Sequence, residues 1–268
     1  MRYFLEVAYD GTRFHGWQVQ PNALTVQQVL DECLRTVFRL PSVETIGSGR
    51  TDTGVHATQQ WVHVDLPQAF SPADIQHKLN RILPADISIG QVLPVGPEAH
   101  TRFDAISRTY EYRISLQRNP FLVKHAYFMP RLPEVAQMNA AAQALLDLED
   151  FTTFSKVKGD TKHYRCTITQ AHWRQEGDLL IFTIKANRFL RGMVRLVVGT
   201  LLDVGKGKLS VDQFRQAIER QDRTLASGAA PAQGLFLHKV EYPEGYFAEQ
   251  QKLFEQTAAE VAFKPTEE

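Results

Sequence analysis

The stretch "GSGRTDTGVHA", residues 47–57, decides how this chain is read. Its centre, Asp52-Thr53-Gly54, is the D-T-G tripeptide that carries the carboxylate of aspartic proteases. That chemistry needs two carboxylates sharing one proton at about 3 Å. The chain has one D-T-G and no second D-[ST]-G, so the dyad would have to come from a homodimer. The residues before Asp52 disagree as well: Gly-Ser-Gly-Arg-Thr is not an apolar strand, and Arg50 favours an ionised carboxylate over a shared proton. The protease reading is set aside. One ionised acid remains, with a hydroxyl on each side, in a glycine-rich loop whose backbone can approach a ligand closely. The plainer alternative, Asp52 holding an Asx-type turn, stays open on these residues alone.

Outward from the loop, strands alternate with helices. Residues 2–9 (RYFLEVAY) read as a strand ended by Asp10-Gly11. Thr25 with Gln28 forms a capping box, followed at helical spacing by Val26, Val29, Leu30, Cys33, Leu34 and Val37. Residues 59–66 alternate as a strand; Ser71-Pro72 opens a helix with Ile75, Leu79 and Ile82 inward, stopped by Pro84, and a strand covers 86–93. Strand 106–116 puts Tyr110, Tyr112, Ile114 and Leu116 on one face and Thr109, Glu111, Arg113 and Ser115 on the other. A helix follows Pro133, and 164–175 with 179–186 makes a hairpin around Glu176-Gly177-Asp178. A long helix spans 189–204, Ser210 with Gln213 caps another, and 234–242 is a last strand. The hairpin argues for mixed or antiparallel sheet. The fold class is therefore α+β, in two lobes: an N-terminal lobe, 1–103, carrying the loop, a C-terminal lobe, 104–245, and an acidic tail, 246–268. The boundary between two lobes is a natural place for a site.

Composition narrows the function classes. The chain has 268 residues, 43% of them hydrophobic, enough for a sizeable core. No secretory signal is read in residues 2–9, which are short and contain Glu6, and no window approaches about 18 uncharged apolar residues, so no membrane span is expected. Cys33 and Cys166 read as separate thiols, which fits the cytoplasm. The nine histidines show no metal-ligand spacing, and no structural metal is expected. The net charge of zero hides a gradient: residues 101–208 carry 17 basic and 10 acidic side chains, whereas 241–268 carry 2 and 7. A basic middle beside an acidic end suits a polyanion binder, although scattered solvated charge is the bland alternative.

Five ordered blocks then carry a resemblance. "GRTDTGVHA" (49–57) resembles the catalytic loop of the tRNA pseudouridine synthase A family, the anticodon-arm pseudouridine synthases. "YDGTRFHGWQVQP" (9–21), "RTYEYRI" (108–114), "FLRGMVRLVVGTLLDVGKG" (189–207) and "APAQGLFLHKVEY" (230–242) resemble the family's other blocks. One departure is "HTRFDAISR" (100–108), where Thr101 and Asp104 replace smaller or less acidic residues without touching a catalytic position. The resemblance implies isomerisation of uridine to pseudouridine in tRNA at positions 38, 39 and 40, with no cofactor. It implies the pseudouridine synthase fold with a catalytic cleft between the lobes, and a homodimer with the RNA across both subunits. It also implies Asp52 as the essential carboxylate, Tyr110 stacking on the target base, Arg195 pairing with the aspartate, and Leu235 in an apolar pocket.

The chemistry is compatible with those residue types. A base must leave its sugar carbon through nitrogen and rejoin it through carbon, with nothing oxidised or hydrolysed. An aspartate is ionised at neutral pH (reference value about 3.9). Burial would raise that value, and an arginine would counter the rise. Arg50 and Arg195 are both available; Arg195 is preferred because an unpaired cation on an apolar helix is costly. Arg191, four residues earlier, would share that helix face and reach phosphate; snorkelling is the bland reading of both. Tyr110 gives a platform for an extruded base, although core packing beside Tyr112 and Ile114 is the ordinary reading. Arg50, His56 and Arg102 complete the expected substrate contacts; Arg108, Arg113, Lys156, Lys158 and Lys162 are further phosphate candidates, and Arg13, His15 and Gln18 either touch RNA or decorate a turn. A non-catalytic RNA-binding or RNA-chaperone module of the same fold is the competing class, and a single-carboxylate glycosidase lacks its second acid.

Overall fold

A computed structural model describes residues 1–155 and 163–263; Lys156, Lys158 and Lys162 all lie at 156–162, outside the described residues. The chain divides into two compact units, Met1–Ile106 with Lys239–Glu268, and Ser107–His238. Both are α+β.

The first unit contains β1 (Arg2–Tyr9), α1 (Val26–Phe38), β2 (Ile46–Gly47), β3 (His56–Asp65), α2 (Pro72–Ile82) and β4 (Ile87–Val95). β1 is central, antiparallel to β4 on one side and β3 on the other, and the short β2 pairs antiparallel with β3. Thr25 caps α1 by accepting the Gln28 N–H, but the Gln28 side chain bonds Glu32 instead of reaching back, so half of the expected capping box forms. α1 buries Val26, Leu30 and Leu34 together with Gln27, whose amide bridges the Val19 N–H and the Thr45 carbonyl. Pro72 fixes the first turn of α2, which buries Ile75 and Leu79; Ile82, expected inward, is 43% exposed, because the helix ends there. β3 also departs from half-buried alternation. Gln60, Trp61, Val62, His63 and Val64 are all buried, so its polar members sit inside and need partners.

The second unit contains β5 (Ser107–Ser115), β6 (Tyr127–Phe128), α3 (Val135–Gln143), β7 (Ile168–Glu176), β8 (Leu179–Ala186), α4 (Met193–Gly205), α5 (Val211–Glu219) and the start of β9 (Leu235–Glu241). β8 lies antiparallel between β5 and β7, while β6 runs parallel to β5, making the sheet mixed. The β7–β8 hairpin turns at Gly177, which has φ 57°. α4 is this unit's central helix, burying ten of its thirteen residues. It begins four residues later than its apolar pattern suggests, because Gly192 takes φ 71° and interrupts the helix before Met193. The capping box at Ser210 and Gln213 forms in full at the start of α5.

β9 returns the chain to the first unit, where α6 (Tyr246–Phe263) follows. Within the segment read as an acidic tail, Tyr246–Phe263 is a helix packed on β4. Its Phe247 meets Phe4, Trp61 and Tyr242, and its Phe254 meets Tyr3 edge-on at 5.3 Å. Neither Cys33 nor Cys166 is in a disulfide; Cys166 is buried, and burial pushes its thiol up to about 11.

Candidate active site

In the first unit the Asp52 loop leaves β2 and enters β3. Gly54, at φ 74°, turns the chain, and the Val55 N–H donates to the Asp52 carbonyl at 3.1 Å. The Gly54 N–H, which an Asx turn at Asp52 would recruit, donates to the Phe14 carbonyl at 3.2 Å. Asp52 is half-buried between buried Thr51 and exposed Thr53, and Arg50 is exposed.

The block at 9–18 is what holds this loop. Trp17 N–H donates to the Thr51 carbonyl at 3.2 Å. Gly16 sits at φ 88°, and a Cβ there would lie 2.4 Å from the Thr51 oxygen; one on Gly11 would lie 2.0 Å from the Val55 oxygen. Only glycine permits two such backbone approaches. Beneath them Tyr9 donates to Gln60 Oε1 at 3.1 Å, leaving its oxygen to meet Thr51 Oγ1 at 2.8 Å, and Gln60 Nε2 donates to the Gly49 carbonyl at 3.2 Å. This explains the polar burial on β3. His56, expected among the substrate contacts, is 1% exposed; its Nδ1 accepts the Gly11 N–H at 3.0 Å and lies 3.2 Å from Asp10 Oδ1. Arg13 pairs bidentately with Asp86 and lies over the Phe14 ring, which favours the turn reading of that residue. The Gln20 amide donates to the His15 carbonyl.

Arg102 lies 5.8 Å from the Phe103 ring in the segment after β4. The departure at Thr101 and Asp104 has a structural account. Thr101 is fully buried and donates to the Ile46 carbonyl at 2.8 Å, and Asp104 Oδ2 accepts the His100 N–H at 2.8 Å and the Tyr246 hydroxyl at 2.6 Å.

In the second unit Tyr110 is half-buried on β5, whereas Tyr112 and Ile114 on the same face are fully buried. Its ring meets Phe189 edge-on at 5.1 Å. A half-buried tyrosine can serve as a platform; the fully enclosed Tyr112 cannot. Burial raises the Tyr112 phenol well above its ordinary value against the opposing charge of Arg195, and its hydroxyl donates to the Pro231 carbonyl at 2.9 Å. Arg195, half-buried on α4, donates through Nε to the Ala230 carbonyl at 2.7 Å, and the Ala230 N–H donates to the Arg195 carbonyl at 2.9 Å. One turn on, a Cβ at Gly199 would lie 2.0 Å from the Gly228 oxygen, and Ser227 bonds Thr200 and Asp203. The segment 227–231 therefore runs along α4 and fixes Arg195. Leu235 opens β9 and is buried.

Two expectations are corrected here. Arg191 lies exposed in the turn before α4, so it does not share a helix face with Arg195. Arg113 does not project freely for phosphate. With Arg174 it flanks the buried Glu111 at 3.1 and 2.9 Å, and its guanidinium lies 4.0 Å from the Phe236 centroid. The two arginines hold the Glu111 carboxyl below its ordinary value although burial pushes it up. Arg108 donates to the Asn187 carbonyl. Sequence reasoning missed the tie of 9–18 to the Asp52 loop and of 227–231 to α4. The signal was present as glycines (Gly11, Gly16, Gly199) inside the blocks, but a glycine does not name the backbone that approaches it.

A family model described as tRNA pseudouridine synthase matches residues 6–104 and 141–243. The tRNA pseudouridine synthase A of Parabacteroides distasonis is 47% identical over 247 residues, 92% of this chain and 98% of that protein. That of Bacteroides thetaiotaomicron is 48% identical, covering 94% of each chain. That of Porphyromonas gingivalis is 47% identical, covering 92% of this chain and 99% of its own. The matched segments include the Asp52 loop, Arg195 and Leu235, and stop short of Tyr110.

Proposed function

Since the chain belongs to the tRNA pseudouridine synthase family, we propose that it isomerises uridine to pseudouridine in the anticodon arm of tRNA, at positions 38, 39 and 40, in the cytoplasm. The observation that carries this is the full-length similarity to proteins of that name, with "GRTDTGVHA" intact. Asp52 is the carboxylate that acts in its charged form. Its loop is pinned by backbone contacts to Gly11, Phe14, Gly16 and Trp17, so its main chain is set before substrate arrives. Tyr110 is the platform for the target base; a half-buried ring braced by Phe189 supports that role. Arg195 supplies the cation that favours the ionised acid, Leu235 an apolar wall, and Arg50, Arg102 and the exposed Arg191 contact RNA. The protein acts as a homodimer. No described helix is long and apolar enough to cross a membrane.

The reaction fits a site built from fixed groups. Extruding the target nucleotide costs a few kcal/mol, and stacking on one aromatic returns about 1–3 kcal/mol. The test uses tRNA tritiated at uridine carbon five, incubated with the protein alone. Tritium is released when that carbon bonds the sugar. The wild type is expected to release it, and Asp52→Ala to bind tRNA while releasing none. A folded wild type that binds tRNA in silence would leave the non-catalytic RNA-binding module as the better reading.

A further inference from the structure

The segment that links β4 to β5 holds one aromatic side chain out in solvent. Phe103 is 74% exposed, yet the turn that carries it is hydrogen-bonded at several points. The N–H groups of Arg102 and Phe103 both donate to His100 Nδ1, at 3.1 and 3.3 Å, and the Asp104 N–H donates to the His100 carbonyl. Asp104 closes the turn on the His100 N–H and on Tyr246. Thr101 is locked between Ile46, His63 and the Tyr242 hydroxyl, and the Ile106 N–H donates to the Glu241 carbonyl. Thr101 thereby ties this turn to β2, the strand that launches the Asp52 loop six residues later.

A rigid turn that exposes a phenyl ring forgoes the hydrophobic gain of burying it. The surroundings fit a particular occupant. The His100 ring lies 4.2 Å from the Phe103 centroid, and the Arg102 guanidinium carbon lies 5.8 Å from it. Because His100 Nδ1 accepts two N–H groups, its Nε2 carries the hydrogen and is a donor beside the ring. A phenyl ring that stays 74% exposed while His100 packs against it and the Arg102 guanidinium lies over it suits an unpaired nucleobase and its phosphate, whereas a protein partner would call for a larger contiguous apolar patch.

We propose that Phe103, with Arg102 and His100 packed against it, is a second stacking platform that takes an unpaired base of the tRNA loop other than the one being isomerised. This rests on the tRNA-modifying reading above. Phe103 touches substrate away from the reacting atoms, so its loss weakens binding and leaves the chemical step alone.

The test compares Phe103→Ala, Phe103→Leu and Phe103→Trp in the full chain. Filter binding of tRNA and the tritium assay are read together with thermal unfolding. Ala and Leu are expected to raise Kd and KM about tenfold with kcat and thermal stability unchanged, and Trp to restore both. A fully paired RNA duplex should bind all four proteins alike. The proposal is overturned if Leu binds tRNA as well as Phe, if Ala changes nothing, or if the loss follows dissociation of a protein oligomer on dilution. The binding arm can be repeated in the Asp52→Ala background. It reads the platform even if the wild type releases no tritium, so failure of this proposal and failure of the proposed activity give different results.

Discussion

At the scale of single residues, two titrating groups in the first unit, the half-buried Asp31 and the buried His63, oppose each other. Burial raises the Asp31 carboxyl to about 6 from 3.8, in spite of the Thr45 N–H and hydroxyl that donate to it. The folded state then holds a proton that the unfolded chain has released. This contribution favours folding at low pH and is lost as pH rises through about 6. His63 runs the other way. Burial, with the charges of Arg2 and His100, lowers it to about 4 from 6.5, so its contribution is present above 6.5 and lost as pH falls toward 4. Across pH 4–6 the two slopes largely cancel, and single variants should expose them. Relative to wild type, Asp31→Asn should gain stability as pH rises through this window and His63→Gln should lose it. Denaturant midpoints measured at several pH values check both; parallel curves for all three proteins would contradict the assignment.

At the scale of elements, legibility depended on whether the cause was local. The hairpin at Gly177 and the box at Ser210 and Gln213 were readable because turn and cap are set by neighbours in sequence. The start of α4 was misplaced because Gly192 breaks a helix that its apolar spacing would continue. The polar interior of β3 was misread because Gln60 and His63 are satisfied by Tyr9, Gly49 and Thr101, none of them near in sequence. The Asp52 loop was found from its residues, but the strap that fixes it was not. That strap gives a direct prediction. Gly16→Ala meets both a positive φ and the Thr51 oxygen, and should cost about 2–4 kcal/mol of stability. Where the protein remains folded, tritium release should fall more than tRNA binding, because the displaced backbone is that of the Asp52 loop. A variant with unaltered urea midpoint and rate would show the close approach to be dispensable.

At the scale of the whole molecule, the first unit is discontinuous, closed by residues that follow the entire second unit. Phe247 and Phe254 complete aromatic contacts to Phe4, Trp61 and Tyr3. Ending the chain after Gly245 uncovers those rings and removes the Tyr246 bond to Asp104. Limited proteolysis should then cut first within residues 1–106, with Ser107–His238 surviving as the resistant fragment; equal resistance of both would refute the closing role of α6. The same connectivity bears on biosynthesis. A ribosome that has made residues 1–238 has finished every part of the second unit, while the part made earliest still waits for its last helix. The order of maturation along this chain is therefore the reverse of its order of translation, and a transcript cut short near its end would release a protein whose oldest segment is the one left unfinished.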